Sequence, residues 1–277
     1  MANKYAADPK INELIEYCLP TIRRLVKGAG RYSITIGGSR GKKFSDGQSD
    51  VDFRLYSNDF VEGADLDNGI ADVRKFMAYW AERGTLIDGV WMRTISDIDG
   101  ALNRWLSGEI IPEPLVWAVW GYCLPTDIYH QQIIEDPYGV AEEWKRRMTP
   151  YPRALRDAVL KKHTESLNYW KDDYHYRQKV DRKDVIFLAS LSARLAHDIM
   201  QVLCAVNGVY FPGDGHNVSI AGRFAIKPDR FEERIGAILY PGVFGAPGAA
   251  DIFLSQYNAL HELIAEVLKI AEKASAQ

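Results

Sequence analysis

Cysteine is scarce in this 277-residue chain: there are three, Cys18, Cys123 and Cys204. They lie far apart among apolar neighbours with no C-x-x-C spacing, which argues against a disulfide framework or a zinc site. The six histidines (His130, His163, His175, His197, His216 and His261) are equally scattered. Without an H-E-x-x-H or similar pair they give no histidine-based metal site. Long hydrophobic runs are lacking too, since no stretch reaches the ~18 uncharged apolar residues of a membrane span. The N-terminal "MANKYAADPKINELIEYCLP" carries charge throughout and has no apolar signal-peptide core. A cytoplasmic soluble protein with no membrane partner is expected. A strong charge of either sign is also missing: the net charge is −3 and the pI about 6.1. No global field would draw such a chain onto nucleic acid, so nucleic acid is not an expected partner.

The remaining composition is that of a globular protein, 47% hydrophobic and 26% charged, enough to build a full core in one or two domains. "INELIEYCLPTIRRLV" repeats apolar residues every three or four positions (Ile11, Leu14, Ile15, Cys18, Ile22, Leu25), the period of an amphipathic helix despite Pro20. "RYSITIGG" reads as a strand entering a tight turn. "SDVDFRLYS" reads as a second strand, with Val51, Phe53 and Leu55 on one face and Asp50, Asp52 and Arg54 on the other. A polar loop over 57 to 69 leads to a helix, "GIADVRKFMAYWAERG", closed by Gly84 at its C′ position. "TLIDGVWMRTISD" is a third strand, residues 98 to 107 and 113 to 122 are short helices, and "EDPYGVAEEW" opens a long helix. Beyond Ala141 nearly every segment has helical period. The expectation is an α+β protein: a mixed sheet with flanking helices over residues 1–140, then a helical bundle over 141–277.

The chemistry concentrates in "GGSRGKKFSDGQSDVDF", residues 37 to 53. A P-loop would need glycine at position 36 and Ser or Thr at 43, where the chain has Ile36 and Lys43. A G-x-G-x-x-G fingerprint fails at Ser39 and Lys42. What stands is a strand, Gly38-Ser39, a spacer from Arg40 to Ser49, then Asp50-x-Asp52. Carboxylates at i and i+2 of a strand share a face and repel unless a cation sits between them. Magnesium suits that place, because hard oxygen ligands leave its other positions to water and phosphate oxygens. Gly37 and Gly38 let backbone approach a phosphate closely, and Ser39 adds a hydroxyl and an N–H.

This arrangement resembles the DNA polymerase β-like nucleotidyltransferase superfamily, whose signature is hG[GS], a spacer of about ten residues, and [DE]h[DE]h, with h hydrophobic. Here it reads "IGGS", "RGKKFSDGQS" and "DVDF". A nucleotidyltransferase domain followed by a helical domain is also similar to the layout of antibiotic nucleotidyltransferases. The resemblance implies a mixed sheet, bound Mg²⁺, and ATP or another NTP as co-substrate. It also implies a third carboxylate on a later strand, acting as metal ligand or general base. Asp88 is the choice for that role, with Asp97, Asp99 and Glu109 as competitors. The catalytic and metal-binding candidates are therefore Asp50, Asp52 and Asp88, and the nucleotide-binding candidates are Gly38, Ser39, Arg40 and Ser49.

The expected activity is transfer of a nucleoside monophosphate, AMP from ATP, to a hydroxyl of a small-molecule acceptor such as an antibiotic, by a two-metal mechanism. The alternatives are nucleotidylation of a protein or tRNA, and a non-catalytic nucleotide-binding module. Asp46 falls outside the strand face and reads as loop chemistry. The aromatic and charged run from 168 to 184 reads as an exposed amphipathic helix, the alternative being that its Trp and Tyr stack on a base or sugar at an acceptor or nucleotide site, and His197 and His261 read as packed histidines on apolar helix faces.

Overall fold

The computed structural model describes residues 5, 8–28, 30–43, 45–47, 49–110, 124–213, 217–239 and 249–275. They belong to two compact units, Met1–Asn103 with Leu124–Thr149, and Arg104–Cys123 with Pro150–Gln277. The expected helix at 113–122, and Cys123 and His216, lie outside the described residues.

In chain order the first unit runs α1 (Pro9–Arg23), β1 (Tyr32–Ile36), a single helical turn α2 (Gly38–Gly41), β2 (Val51–Ser57), α3 (Gly63–Ala81), β3 (Ile87–Arg93) and α4 (Ile95–Leu106). It resumes with α5 (Leu124–His130), β4 (Gln132–Glu135) and α6 (Val140–Arg147). The Asp8 side chain caps α1 by accepting from the Lys10 N–H at 2.8 Å. Pro9 starts the helix where no N–H is needed. The strand order is β3-β2-β1-β4, with β2 parallel to β3 and antiparallel to β1, and β4 antiparallel to β1. The four strands and their flanking helices form the mixed α+β architecture that the hydrophobic patterning implies.

Strand alternation decides what each sheet face does. Val51, Phe53 and Leu55 are fully buried in one apolar cluster with Leu14, Cys18 and Ile22 of α1 and Phe76 and Trp80 of α3. Truncating Phe53 to alanine there would cost about 3–5 kcal/mol. Asp52, Arg54 and Tyr56 point to the opposite face, where Tyr56 meets Trp144 of α6 edge-on at 4.9 Å between ring centroids.

Three local expectations need correction. Helix α3 begins at Gly63, so the polar loop before it is shorter than 57 to 69; Asp65 in the first turn suits the positive helix terminus. The helix closes as read: Gly84 has φ +72°, its N–H donates to Ala81 O, and the Thr85 N–H donates to Trp80 O, a Schellman closure. The helix after Gly139 is short, eight residues, because Pro150 and Pro152 stop continuation and set the start of the next helix. Strand β4 was not anticipated. All four of its residues are half-buried, so "QIIE" carries no alternation to read.

Every element of the second unit beyond Thr149 is a helix among the described residues: α7 (Arg153–Asp172), α8 (Tyr174–Asp181), α9 (Val185–Val206), α10 (Asn217–Ala221), α11 (Phe231–Leu239) and α12 (Ala249–Ser275). The helical period that runs on beyond Arg153 is interrupted at Asp173, which leaves the helical conformation and caps α8 by accepting from the His175 N–H. Helix α9 is long and apolar enough by length and composition to cross a membrane, with half of its apolar window buried within the protein. It carries Arg194 and Asp198 and packs on α7 and α12.

Candidate functional site

The sheet face opposite the core carries the site. β1 ends at Ile36, Gly37 follows, and its N–H donates to the Asp52 carbonyl at 2.9 Å, which ties the turn to the strand beside it. A Cβ on Gly38 would lie 1.9 Å from Asp52 Oδ2, and Gly38 has φ +60°. Only glycine fits there, on both steric and conformational grounds. A Cβ on Gly37 would lie 2.8 Å from Arg54 Nη2. The double glycine is thus what lets backbone press against the Asp52 and Arg54 side chains. The α2 ladder starts with the Gly41 N–H donating to Gly37 O, leaving the N–H groups of Gly38, Ser39 and Arg40 ahead of it.

Asp52 is the electrostatic centre. Its side chain is 14% exposed, and among the described residues no hydrogen-bond donor reaches its carboxylate. Burial pushes its carboxyl up to about 6; the Arg54 charge opposes that, and the charges of Asp50, Asp88 and Asp127 add to it. The charges of the other two expected carboxylates, Asp50 and Asp88, thus both reach Asp52. Asp88 lies at the start of β3, beside the register irregularity that sets Asp52 opposite Gly89. Its side chain is exposed and accepts from Trp91 Nε1 at 3.3 Å. Asp97 and Asp99, the competitors, lie on α4; Asp99 accepts from Trp144 Nε1 and Arg147 Nη1, each at 2.8 Å. Glu109 pairs with Arg104.

The nucleotide-binding candidates divide. Gly38 and Ser39 sit at the turn beside Asp52. Arg40 instead donates Nε to the Asp50 carbonyl at 2.7 Å and Nη2 to the Ser49 carbonyl at 2.6 Å, holding the backbone that enters β2. The Ser49 hydroxyl donates to Asp46 Oδ1 and accepts from the Asp46 N–H, both at 3.0 Å, closing the spacer loop on itself. Asp46 is accordingly loop chemistry.

Two residues of this face carry no signal in the motif. Arg54 bears the cation, and Asp127 on α5, its side chain 3% exposed, accepts from it. Arg54 follows Asp52 by two, and alternation places it on the same strand face without giving it a role. Nothing in "LPTDIYH" marks Asp127, which only the tertiary fold brings to the strand. Arg93 of β3 stands 3.8 Å from Asp127, and the Arg54 guanidinium lies 5.4 Å from the Trp91 ring centre.

Among the described residues no three Asp, Glu, His or Cys side chains form a ready-made metal cage. The donor set nevertheless suits magnesium, which is commonly held by one or two carboxylates plus substrate phosphates and water. Asp52 offers a desolvated carboxylate with open acceptor positions, and the Asp50 charge lies near it.

Comparison with known proteins adds a boundary and no chemistry. Residues 126–215 match a family model described as a domain of unknown function, DUF4037. That stretch contains Asp127 and excludes the glycine turn, Asp50, Asp52 and Asp88. No curated protein matches the chain.

Proposed function

We propose that this protein is a Mg²⁺-dependent nucleotidyltransferase that moves AMP from ATP, or the monophosphate of another NTP, to a hydroxyl of a small-molecule acceptor. The observation that carries the reading is the apposition of the glycine turn and Asp52: backbone pressed against a carboxylate only 14% exposed, which no hydrogen-bond donor reaches among the described residues. A phosphate-and-metal site needs those two parts together.

Bound Mg²⁺, which Asp50 and Asp52 would hold, would supply charge neutralisation for the triphosphate. The Gly38 and Ser39 backbone receives phosphate oxygens, which fixes the chain of phosphates relative to the acceptor. Asp88, exposed at the start of β3, takes the proton of the acceptor hydroxyl. The hydroxyl oxygen bonds to the α-phosphorus as the bond from that phosphorus to the bridging oxygen breaks, and pyrophosphate leaves. The sheet-bearing unit, α6 included, forms the nucleotidyltransferase domain and the helices from α7 onward a bundle domain, in a cytoplasmic enzyme.

The test is pyrophosphate release by purified protein with Mg²⁺ and each NTP across hydroxyl-bearing small molecules, aminoglycosides and lincosamides included. Asp52→Ala is expected to abolish release while the fold is kept. Unchanged turnover in that variant ends the proposal. One observation favours a non-catalytic nucleotide-binding module instead: Arg54 Nη1 already stands 3.7 Å from Asp52 and supplies part of its counter-charge. NTP binding with no turnover on any acceptor would select that second reading.

A further inference from the structure

Arg54 lies between two carboxylates and treats them differently. Its Nε donates to Asp127 Oδ2 at 3.3 Å and its Nη2 to Asp127 Oδ1 at 3.4 Å. Its Nη1 is 3.7 Å from Asp52 Oδ1, beyond hydrogen-bonding range. A guanidinium grips a carboxylate through two parallel N–H bonds, and here that two-pronged grip is used on Asp127. The Arg54 side chain is almost fully buried, backed by Gly37 and faced by the Trp91 ring, and the Asp127 carboxylate is what takes its fork. Asp52 thereby gains a nearby positive charge without giving up an acceptor position to it.

We infer that Asp127 is a positioning residue: it holds the guanidinium fork of Arg54 off Asp52 and so keeps the Asp52 oxygens open to a divalent cation. The inference rests on the reading of Asp52 as a metal ligand. Without the Asp127 carboxylate, Arg54 would turn its fork onto the nearest remaining carboxylate, Asp52, and compete with the metal for it. A merely structural Arg54–Asp127 pair would cost stability when broken and leave metal affinity where it was.

Titration of the full chain with Mn²⁺, followed by calorimetry, separates these cases. Asp127→Asn is expected to weaken Mn²⁺ binding about 10- to 100-fold, the usual effect of losing a residue that orients a metal ligand. Arg54→Met in the same background should restore binding to that of Arg54→Met alone. Arg54→Lys keeps the charge but cannot fork, and it should show the same loss if Asp127→Asn fails to fold. Wild-type affinity in Asp127→Asn, or a double variant as weak as Asp127→Asn, overturns the inference. Absence of Mn²⁺ binding by the wild type would sink the metal-ligand reading instead. Metal-free double-mutant cycles on stability then decide the positioning role: Arg54 should couple more strongly to Asp127 than to Asp52, and equal or reversed coupling overturns it.

Discussion

Each unit of the molecule draws an aspartate out of solvent, Asp198 fully and Asp52 in part, and the two are handled in opposite ways. In the helical unit Asp198 of α9 is 4% exposed and accepts from His163 Nδ1 at 2.6 Å and from the Ser166 hydroxyl at 2.7 Å, both on α7. Every oxygen has a donor, so the carboxylate serves to join two helices. In the sheet unit Asp52 has like charges around it, one cation just out of hydrogen-bonding reach and, among the described residues, no donor. Folding gains little from a carboxylate held that way. A half-buried carboxylate left open in this way is compatible with a ligand site, the reading proposed above.

The sharpest way to break this comparison is to neutralise each aspartate. Asp52→Asn should reduce nucleotidyl transfer by three orders of magnitude or more, as expected where positioned charge supplies most of the catalysis (about 10³-fold per group). The same variant should keep or raise thermal stability, because it removes a partly desolvated charge that Arg54 offsets only in part. Asp198→Ala should do the reverse. It leaves His163 and Ser166 without their acceptor and should cost about 3 kcal/mol by denaturant unfolding, with the Mn²⁺ affinity of the folded protein unchanged. A large loss of stability in Asp52→Asn would mean that both aspartates are structural.

The two sites differ just as much in how far the sequence shows them. Turn, spacer and aspartate pair can be read because they lie within seventeen consecutive residues and each has a local cause: glycine where backbone touches a side chain, alternation that turns Asp52 and Arg54 to one face. The core partners of β2 follow from the same alternation. Asp127 cannot be read, since α5 reaches Asp52 only through the strand order β3-β2-β1-β4, which no local pattern encodes. Strand β4 escapes for a similar reason, as its four half-buried residues show no period. Nor does spacing tell a basic residue that binds backbone, such as Arg40, from one free to bind phosphate.

The next largest expected effect is a divergence with pH in the metal-free protein. The carboxyl of Asp52 is raised from 3.8 to about 6, so the native state keeps a proton that the unfolded chain has released. The stability this gives is full below pH 3.8 and is lost as pH rises through about 6, a span on the order of 3 kcal/mol. His197 of α9 behaves oppositely. Burial chiefly, with His163 nearby, lowers it from 6.5 to about 4. The unfolded chain takes up a proton first, so stability is present above 6.5 and lost as pH falls through about 4. Between pH 4 and 6 the sheet unit should lose stability with rising pH while the helical unit gains it. Peptide-resolved hydrogen exchange would read both slopes. Asp52→Asn should flatten the first and His197→Gln the second.

Gly38→Ala tests the contact from the turn's side. The added Cβ would collide with Asp52 Oδ2 at a residue whose φ is +60°. A cost of about 1–3 kcal/mol is expected, together with loss of Mn²⁺ binding as Asp52 is displaced. Normal Mn²⁺ affinity in folded Gly38→Ala would show that the turn and the carboxylate are independent.

The smallest effect, on the order of 1–2 kcal/mol, is expected at Arg40, and there the kind of change says more than its size. If Arg40 bound phosphate, lysine would keep most of its value, since a single ammonium serves well as a point charge. The structure has the guanidinium spanning two carbonyls, those of Ser49 and Asp50, which an ammonium cannot reproduce in the same geometry. Arg40→Lys should therefore lose nearly as much stability as Arg40→Ala and weaken Mn²⁺ binding with it, because the backbone that carries Asp50 into β2 is no longer held. Should Arg40→Lys instead match the wild type in Mn²⁺ affinity and differ from Arg40→Ala only in NTP affinity, the arginine belongs with the phosphate-binding turn. The boundary between the satisfied and the open parts of this face would then run between Arg40 and Ser49.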